Sequence, residues 1–187
     1  ITSISLDHTK QLGDTLALIA AEKAGIIKDK VPVVSGVVDE KPKMVIENIA
    51  AQREAPMVRR EVDFRCTNYR LHREKMQSAF DIEVRRDEEW KPSLSDLRIG
   101  CLGEHQAANA SVAWAALNQL PQEIRPTEDA IRKGFATVQC DARIEIVAKD
   151  PWVVIDAAHN VASTDALGKT LSEIDCERRW LILGTSQ

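Results

Sequence analysis

Several features are missing from this 187-residue chain, and each absence narrows the possibilities. No apolar run approaches the roughly eighteen residues of a membrane helix, and no basic segment with an apolar core marks a signal peptide. There is no excess of positive charge. The net charge is -4 and the pI near 5.6, so nothing invites phosphate backbones or an anionic membrane surface. Cys66, Cys101, Cys140 and Cys176 lie 35, 39 and 36 residues apart, without the close C-x-x-C pairs of zinc and redox motifs. They are expected as free, mostly buried thiols in a reducing cytoplasm. Their near-even spacing is not a repeat, because the flanking sequences share no pattern. A phosphate-binding G-x-x-x-x-G-K-[ST] loop is missing too. Gly168-Lys169-Thr170 imitates its end, but position 163 is Ser163 and the tripeptide falls inside a predicted helix.

What is present is an ordinary globular composition, 44% apolar and 29% charged, enough for one large domain or two modest ones. The chain begins at Ile1 inside a strand pattern and ends at Gln187 just after another, so both ends are expected to be cut from something longer.

The organising stretch is Leu6 to Lys28. Thr2, Ile4 and Leu6 alternate with Ser3 and Ser5, which predicts a half-buried strand ending at Asp7-His8. Asp14 is the expected N-cap of a helix whose buried face is Leu16, Ile19, Ala20 and Ala24. Gly25 is the expected left-handed residue just past its end. A strand-loop-helix unit of this length can fold His8 and Lys23, fifteen residues apart, towards one point. On the residues alone, each has an ordinary explanation: a strand-end histidine, and a surface lysine favoured by the helix dipole.

Val31–Val34 predicts a short strand ending at Gly36, and Pro42 to Gln52 a helix. From Val58 to about Leu102 the pattern is β-rich: Phe80, Ile82 and Val84 alternate, as do Leu97, Ile99 and Cys101. This predicts a small, exposed antiparallel portion. Seven basic residues between Arg53 and Lys75 are interleaved with four acidic ones, and only Phe64 and Tyr69 could stack on bases. That favours a solvated charged surface over a nucleic-acid site. Ala107–Leu120 reads as an alanine-rich helix with Val112, Ala116, Leu117 and Leu120 inside, and His105 as a cap near its start. Thr127 caps a further helix. A domain boundary is placed at 139–142. Beyond it the order is β-β-α-β: Ile144–Val147, Trp152–Ile155, a helix over Ser163–Leu171, and Trp180–Leu183. The unbroken Trp152–Ile155 run predicts a parallel strand buried on both faces. Asp156–Asn160 then falls on the loop at a strand's carboxyl end, where open α/β sheets bind ligands. An N-capping Asp or Asn accounts for much of the same loop.

Three ordered blocks, LDHTKQLGDTLALIAAEKAGIIK, GEHQAANASVAWAAL and ARIEIVAKDPWVVIDAAHN, together resemble folylpolyglutamate and dihydrofolate synthases of the Mur ligase superfamily. The resemblance implies an α/β fold: the C-terminal half of a Mur-ligase-type ATPase domain (1–139, β-rich near 58–102) and the start of a Rossmann-like C-terminal domain (140–187). It implies ATP-dependent addition of L-glutamate to folate or dihydropteroate through an acyl phosphate, with ATP and Mg²⁺ as cofactors. A monomeric, cytoplasmic enzyme is expected, with no nucleic-acid or membrane partner. By resemblance, His8 ligates Mg²⁺, together with Lys23 as a carbamate, and such a lysine is expected to have a depressed pKa. Asn109 contacts adenine, Arg143 the phosphates and Asp156 the ribose, while His159 lies near the transferring phosphate or the glutamate. This chain departs from the family at Ala142 and Ala157, where glycine is usual, and at Val161, where proline is usual. With no P-loop, the piece alone is expected to be inactive. Another Mur-type amino-acid ligase and a degenerate, non-catalytic nucleotide-binding module are the alternatives.

Overall fold

A computed structural model describes residues 1–6 and 13–184. The expected strand end at Asp7-His8 and the His8 site therefore lie outside the described residues. The order of elements is α1 (Leu16–Ala24), β1 (Val33–Ser35), α2 (Glu40–Gln52), β2 (Met57–Arg59), β3 (Phe64–His72), β4 (Gln77–Arg86) and β5 (Glu89–Ile99). These are followed by α3 (Glu104–Leu117), α4 (Glu128–Thr137), β6 (Glu145–Lys149), β7 (Trp152–Ile155) and α5 (Val161–Ser172). β1 and β2 pair in parallel, β3-β4-β5 form an antiparallel sheet, and β6-β7 form an antiparallel hairpin.

Residues 1–6 do not form a strand. Ile1 is held along β1 by its N–H to Val34 O (2.9 Å) and by Gly36 N–H to Ile1 O (2.8 Å). Of the predicted inward residues only Ile4 is buried, and Leu6 is exposed. Gly36 has no room for a Cβ, which would stand 2.5 Å from Thr2 O and 2.6 Å from Val112 Cγ2. The N-terminal core gathers Ile4, Ile19, Ala20, Ala24, Ile27, Val33, Ile46 and Ala50, with Leu16 at its edge. The α1 face is thus the predicted one, but its cap is Thr15, whose hydroxyl accepts from Leu18 N–H (3.3 Å). Gly25 is right-handed (φ -56°), because the turn continues through Ile27 N–H to Ala24 O rather than reversing.

The β-rich part is not merely exposed. Phe80, Ile82, Leu97 and Ile99 are essentially inaccessible, packed with Ala107 and Ala110 of α3. Val34, Phe64, Val112 and Ala115 continue that contact towards β1. Alanine lets α3 run close to both sheets, and its buried face is therefore Ala107, Ala110, Ser111, Val112 and Ala115. Ala116 is exposed, and Leu120 lies beyond the helix end. On the sheet's outer surface the basic side chains meet carboxylates: Arg65 with Glu83 (2.6 Å), and Arg70 with both Asp81 and Asp96 (3.2 Å each).

The C-terminal part corrects two expectations. Trp152–Ile155 pairs antiparallel with β6 and is half-exposed: it has one strand neighbour, and among the described residues no layer covers its faces. Trp180–Leu183 is not a strand and is exposed. An apolar run states what a segment tolerates, and burial needs a partner to cover it. Gly168-Lys169-Thr170 sits at the end of α5, with Lys169 paired to Glu104 and Thr170 buried, which is no place for a phosphate loop. None of the described helices is long and apolar enough to cross a membrane.

Candidate functional site

The β6–β7 hairpin and the loop after it bring three of the predicted residues together. Asp156, just past β7, uses both carboxylate oxygens on local backbone: Oδ2 accepts Ile144 N–H (2.8 Å) and Oδ1 accepts Ala158 N–H (2.7 Å). Each oxygen retains a second acceptor site, so the carboxylate is fixed in direction without being exhausted. Ala157 N–H donates to Ala142 O (2.9 Å), which ties the loop to the segment bearing Arg143. Arg143 is exposed, and among the described residues no carboxylate pairs with it. His159 is exposed too. Its N–H donates to Ser163 Oγ (3.1 Å), and its Nδ1 lies 2.9 Å from Ala157 O, a carbonyl that requires the proton on Nδ1. Asn160 then caps α5, its side chain accepting Ser163 N–H (2.9 Å) while Ser163 Oγ accepts Asn160 N–H (3.1 Å). The helix-capping explanation of this loop therefore belongs to Asn160 and not to Asp156.

The two departures from glycine differ in consequence. Ala142 has φ +52°, a left-handed conformation that favours glycine, whereas Ala157 does not. Ile144, also at φ +54° and buried, adds backbone strain beside Asp156.

The start of α3 stands against the end of α5, where Lys169 pairs with Glu104. Gly103, at φ +106°, precedes the helix, and a Cβ there would meet Thr170 Oγ1 at 2.5 Å and the His105 ring at 2.6 Å. Burial pushes the His105 pKa down. The Asp156 carboxylate pulls it up, and the Arg143 guanidinium pushes it down again. His105 is thus within electrostatic reach of both residues. The helix-cap reading missed it as a site residue, although its i, i+4 spacing to Asn109 placed the two on one face. Asn109 donates to Gln106 Oε1 (3.4 Å) and lines a cavity of about 250 Å³ with Ile1, Thr2, Pro32, Val34 and Val112.

Lys23 stands apart from this cluster. It is half-buried in the last turn of α1, its Nζ 3.5 Å from Ser3 O. No contact among the described residues joins it to Asn109, Arg143, Asp156 or His159. Nor is there a cluster of three or more His, Cys, Asp or Glu suited to a metal ion among the described residues.

No family model matches the chain. Individual proteins do. The dihydrofolate synthase/folylpolyglutamate synthase of Bacillus subtilis is 30% identical over 92% of this chain and 39% of its own length. The protein of the same name from Mycobacterium tuberculosis is 34% identical, over 92% and 36%. A solved folylpolyglutamate synthase–AMPPCP–folate complex superposes with a TM-score of 0.81 at 30% identity, over 94% of this chain and 42% of the other.

The chain is a homologue of the folylpolyglutamate/dihydrofolate synthases. It spans about two-fifths of the length of those relatives, and its α/β architecture is theirs over nearly all of its own length.

Proposed function

We propose that this chain supplies one wall of the nucleotide site of an ATP-dependent ligase that joins L-glutamate to folate or dihydropteroate through an acyl phosphate. The observation that carries this reading is the loop in which Asp156 holds Ile144 N–H and Ala157 N–H holds Ala142 O on either side of Arg143, in a homologue of an enzyme solved with AMPPCP and folate. Residues 1–139 would form part of the ATPase domain and 140–187 part of the C-terminal domain, with the nucleotide between them. The donor chemistry suits ATP. An exposed guanidinium with no carboxylate partner among the described residues can take phosphate oxygens. A carboxylate oriented by two backbone N–H groups at a strand end can accept from ribose hydroxyls. Asn109 offers an amide to adenine. His159, with its proton on Nδ1, stands on the same loop for the transferring phosphate or the incoming glutamate.

Mg²⁺ would be held by His8 and Lys23. An ammonium has no lone pair for a metal, so Lys23 fits only as its carbamate, which presents carboxylate oxygens. Bound there, the metal would neutralise charge on the transferred phosphoryl group. A monomeric, cytoplasmic enzyme accompanies this reading.

Calorimetry with AMPPCP tests it. Arg143→Ala and Asp156→Ala should each weaken binding about tenfold or more, roughly the 1.5–3 kcal/mol of a charged hydrogen bond. Unchanged affinity in both variants would remove the assignment. The 187-residue chain alone should give no ATP-dependent glutamylated folate, since it has no G-x-x-x-x-G-K-[ST] segment. Turnover by the chain alone would refute that part.

A further inference from the structure

Cys101 and Cys140 are free thiols with their sulfurs 3.0 Å apart, though 39 residues separate them in sequence. Cys101 follows the end of β5 and is buried; Cys140 lies in the linker between α4 and β6 and is half-buried. The backbone brings them together. Gly100 N–H donates to Phe135 O (3.1 Å), and a Cβ on Gly100 would stand 2.2 Å from Val138 O, so only glycine permits this approach. The linker is then held against the strand end, and a disulfide's bond length of about 2.05 Å requires the sulfurs to close by only ~1 Å.

We infer that Cys101 and Cys140 are a reversible modification site, joined by small-molecule disulfides such as oxidised glutathione. The more accessible Cys140 attacks first: its thiolate displaces one glutathione thiolate and leaves a mixed disulfide. Cys101 then gives up its proton and attacks Cys140 Sγ, expelling the second glutathione thiolate, and the two glutathiones leave reduced as the protein thiols are oxidised. Burial raises the Cys101 pKa, so this second step is the slow one. The bond would tie the linker, whose Arg143 N–H donates to Cys140 O (3.2 Å), to the strand end that feeds Gly103, His105 and Asn109. On the reading that Asn109 and Arg143 hold opposite ends of one nucleotide, oxidation fixes the spacing between them.

The protein is tested as Cys176→Ser, which removes the exposed thiol and leaves three. Oxidised glutathione should reduce the titratable thiols of the denatured protein from three to one. It should also yield a tryptic peptide joining Ile99–Arg132 to Gly134–Arg143, and dithiothreitol should reverse both changes. Amide exchange over residues 138–143 should slow in the oxidised form. In Cys101→Ala, Cys140 should stop at the glutathione adduct. Three surviving thiols, a bridge through Cys66, or a persistent adduct on Cys140 with Cys101 intact would overturn the site. Unchanged exchange in a bridged protein would overturn the tether. None of these readouts depends on nucleotide binding, so they stand apart from the ligase assignment.

Discussion

Asp156 Oδ2 accepts the backbone N–H of Ile144 at 2.8 Å, so the residue that leaves the hairpin clamps the residue that enters it. Ile144 is left-handed at φ +54°, and the same carboxylate holds Ala158 N–H. Two segments of opposite direction are thereby locked beside Arg143 and His159. Asp156→Asn keeps one acceptor but sets an amide NH₂ against the second N–H. Urea denaturation should register a loss of about 1.5–3 kcal/mol, the range for hydrogen bonds to a charged group.

Ala142 should improve as glycine. Its N–H is committed to Glu145 Oε2 (2.8 Å) and its carbonyl to Ala157, so the left-handed turn cannot relax. Relief of roughly 1–2 kcal/mol of left-handed strain exceeds the ~0.5–1 kcal/mol of extra unfolded-chain freedom. Ala142→Gly should therefore raise stability by about 0.5–1 kcal/mol, seen as a higher melting temperature. A lower one would refute the strain argument.

Val161 is the first residue of α5 and 79% exposed, and Asn160 before it is extended (φ -135°, ψ 166°), as a residue preceding proline must be. Proline fits the first helical turn, where its missing N–H has no intrahelical partner. Val161→Pro should stabilise by about 0.4–1 kcal/mol through the unfolded chain, measurable by chemical denaturation.

His105 predicts a pH dependence. Its folded pKa is pushed below 6.5 by burial. Above pH 6.5 the ring is neutral in both states and carries no penalty. As pH falls below that value the unfolded chain takes the proton first, so stability declines until the folded pKa is reached. His105→Gln should flatten this part of the curve. A difference between wild type and variant that stays constant as the pH is lowered through 6.5 would refute it.

Much of the fold was legible from periodicity. The face of α1, the Thr127 cap, the alternation of Phe80 and Ile82 and the helix after Asn160 all follow from local spacing. The cap of α1 moved one residue because Asp14 and Thr15 are both competent caps. The inner face of α3 moved because a helix between two surfaces buries more than one stripe. The candidate site was legible only in part. Asp156 and His159 announced themselves as a loop at a strand end, whereas Arg143 entered through the family resemblance alone, and His105 read as a cap, since nothing local shows which groups lie near a helix terminus.

Sequence by itself determined the helices, the β-rich portion and the three blocks that mark the homology, because these depend on residue type and near-neighbour spacing. The expected strands at 2–6 and 180–183 and the mostly buried thiols did not hold. Tertiary structure alone decided that Trp152–Ile155 forms a half-exposed hairpin, that Lys169 serves Glu104, and that Cys101 meets Cys140. Each of those depends on which surfaces cover one another across long stretches of chain. Tertiary structure likewise brought His105 within electrostatic reach of Arg143 and Asp156.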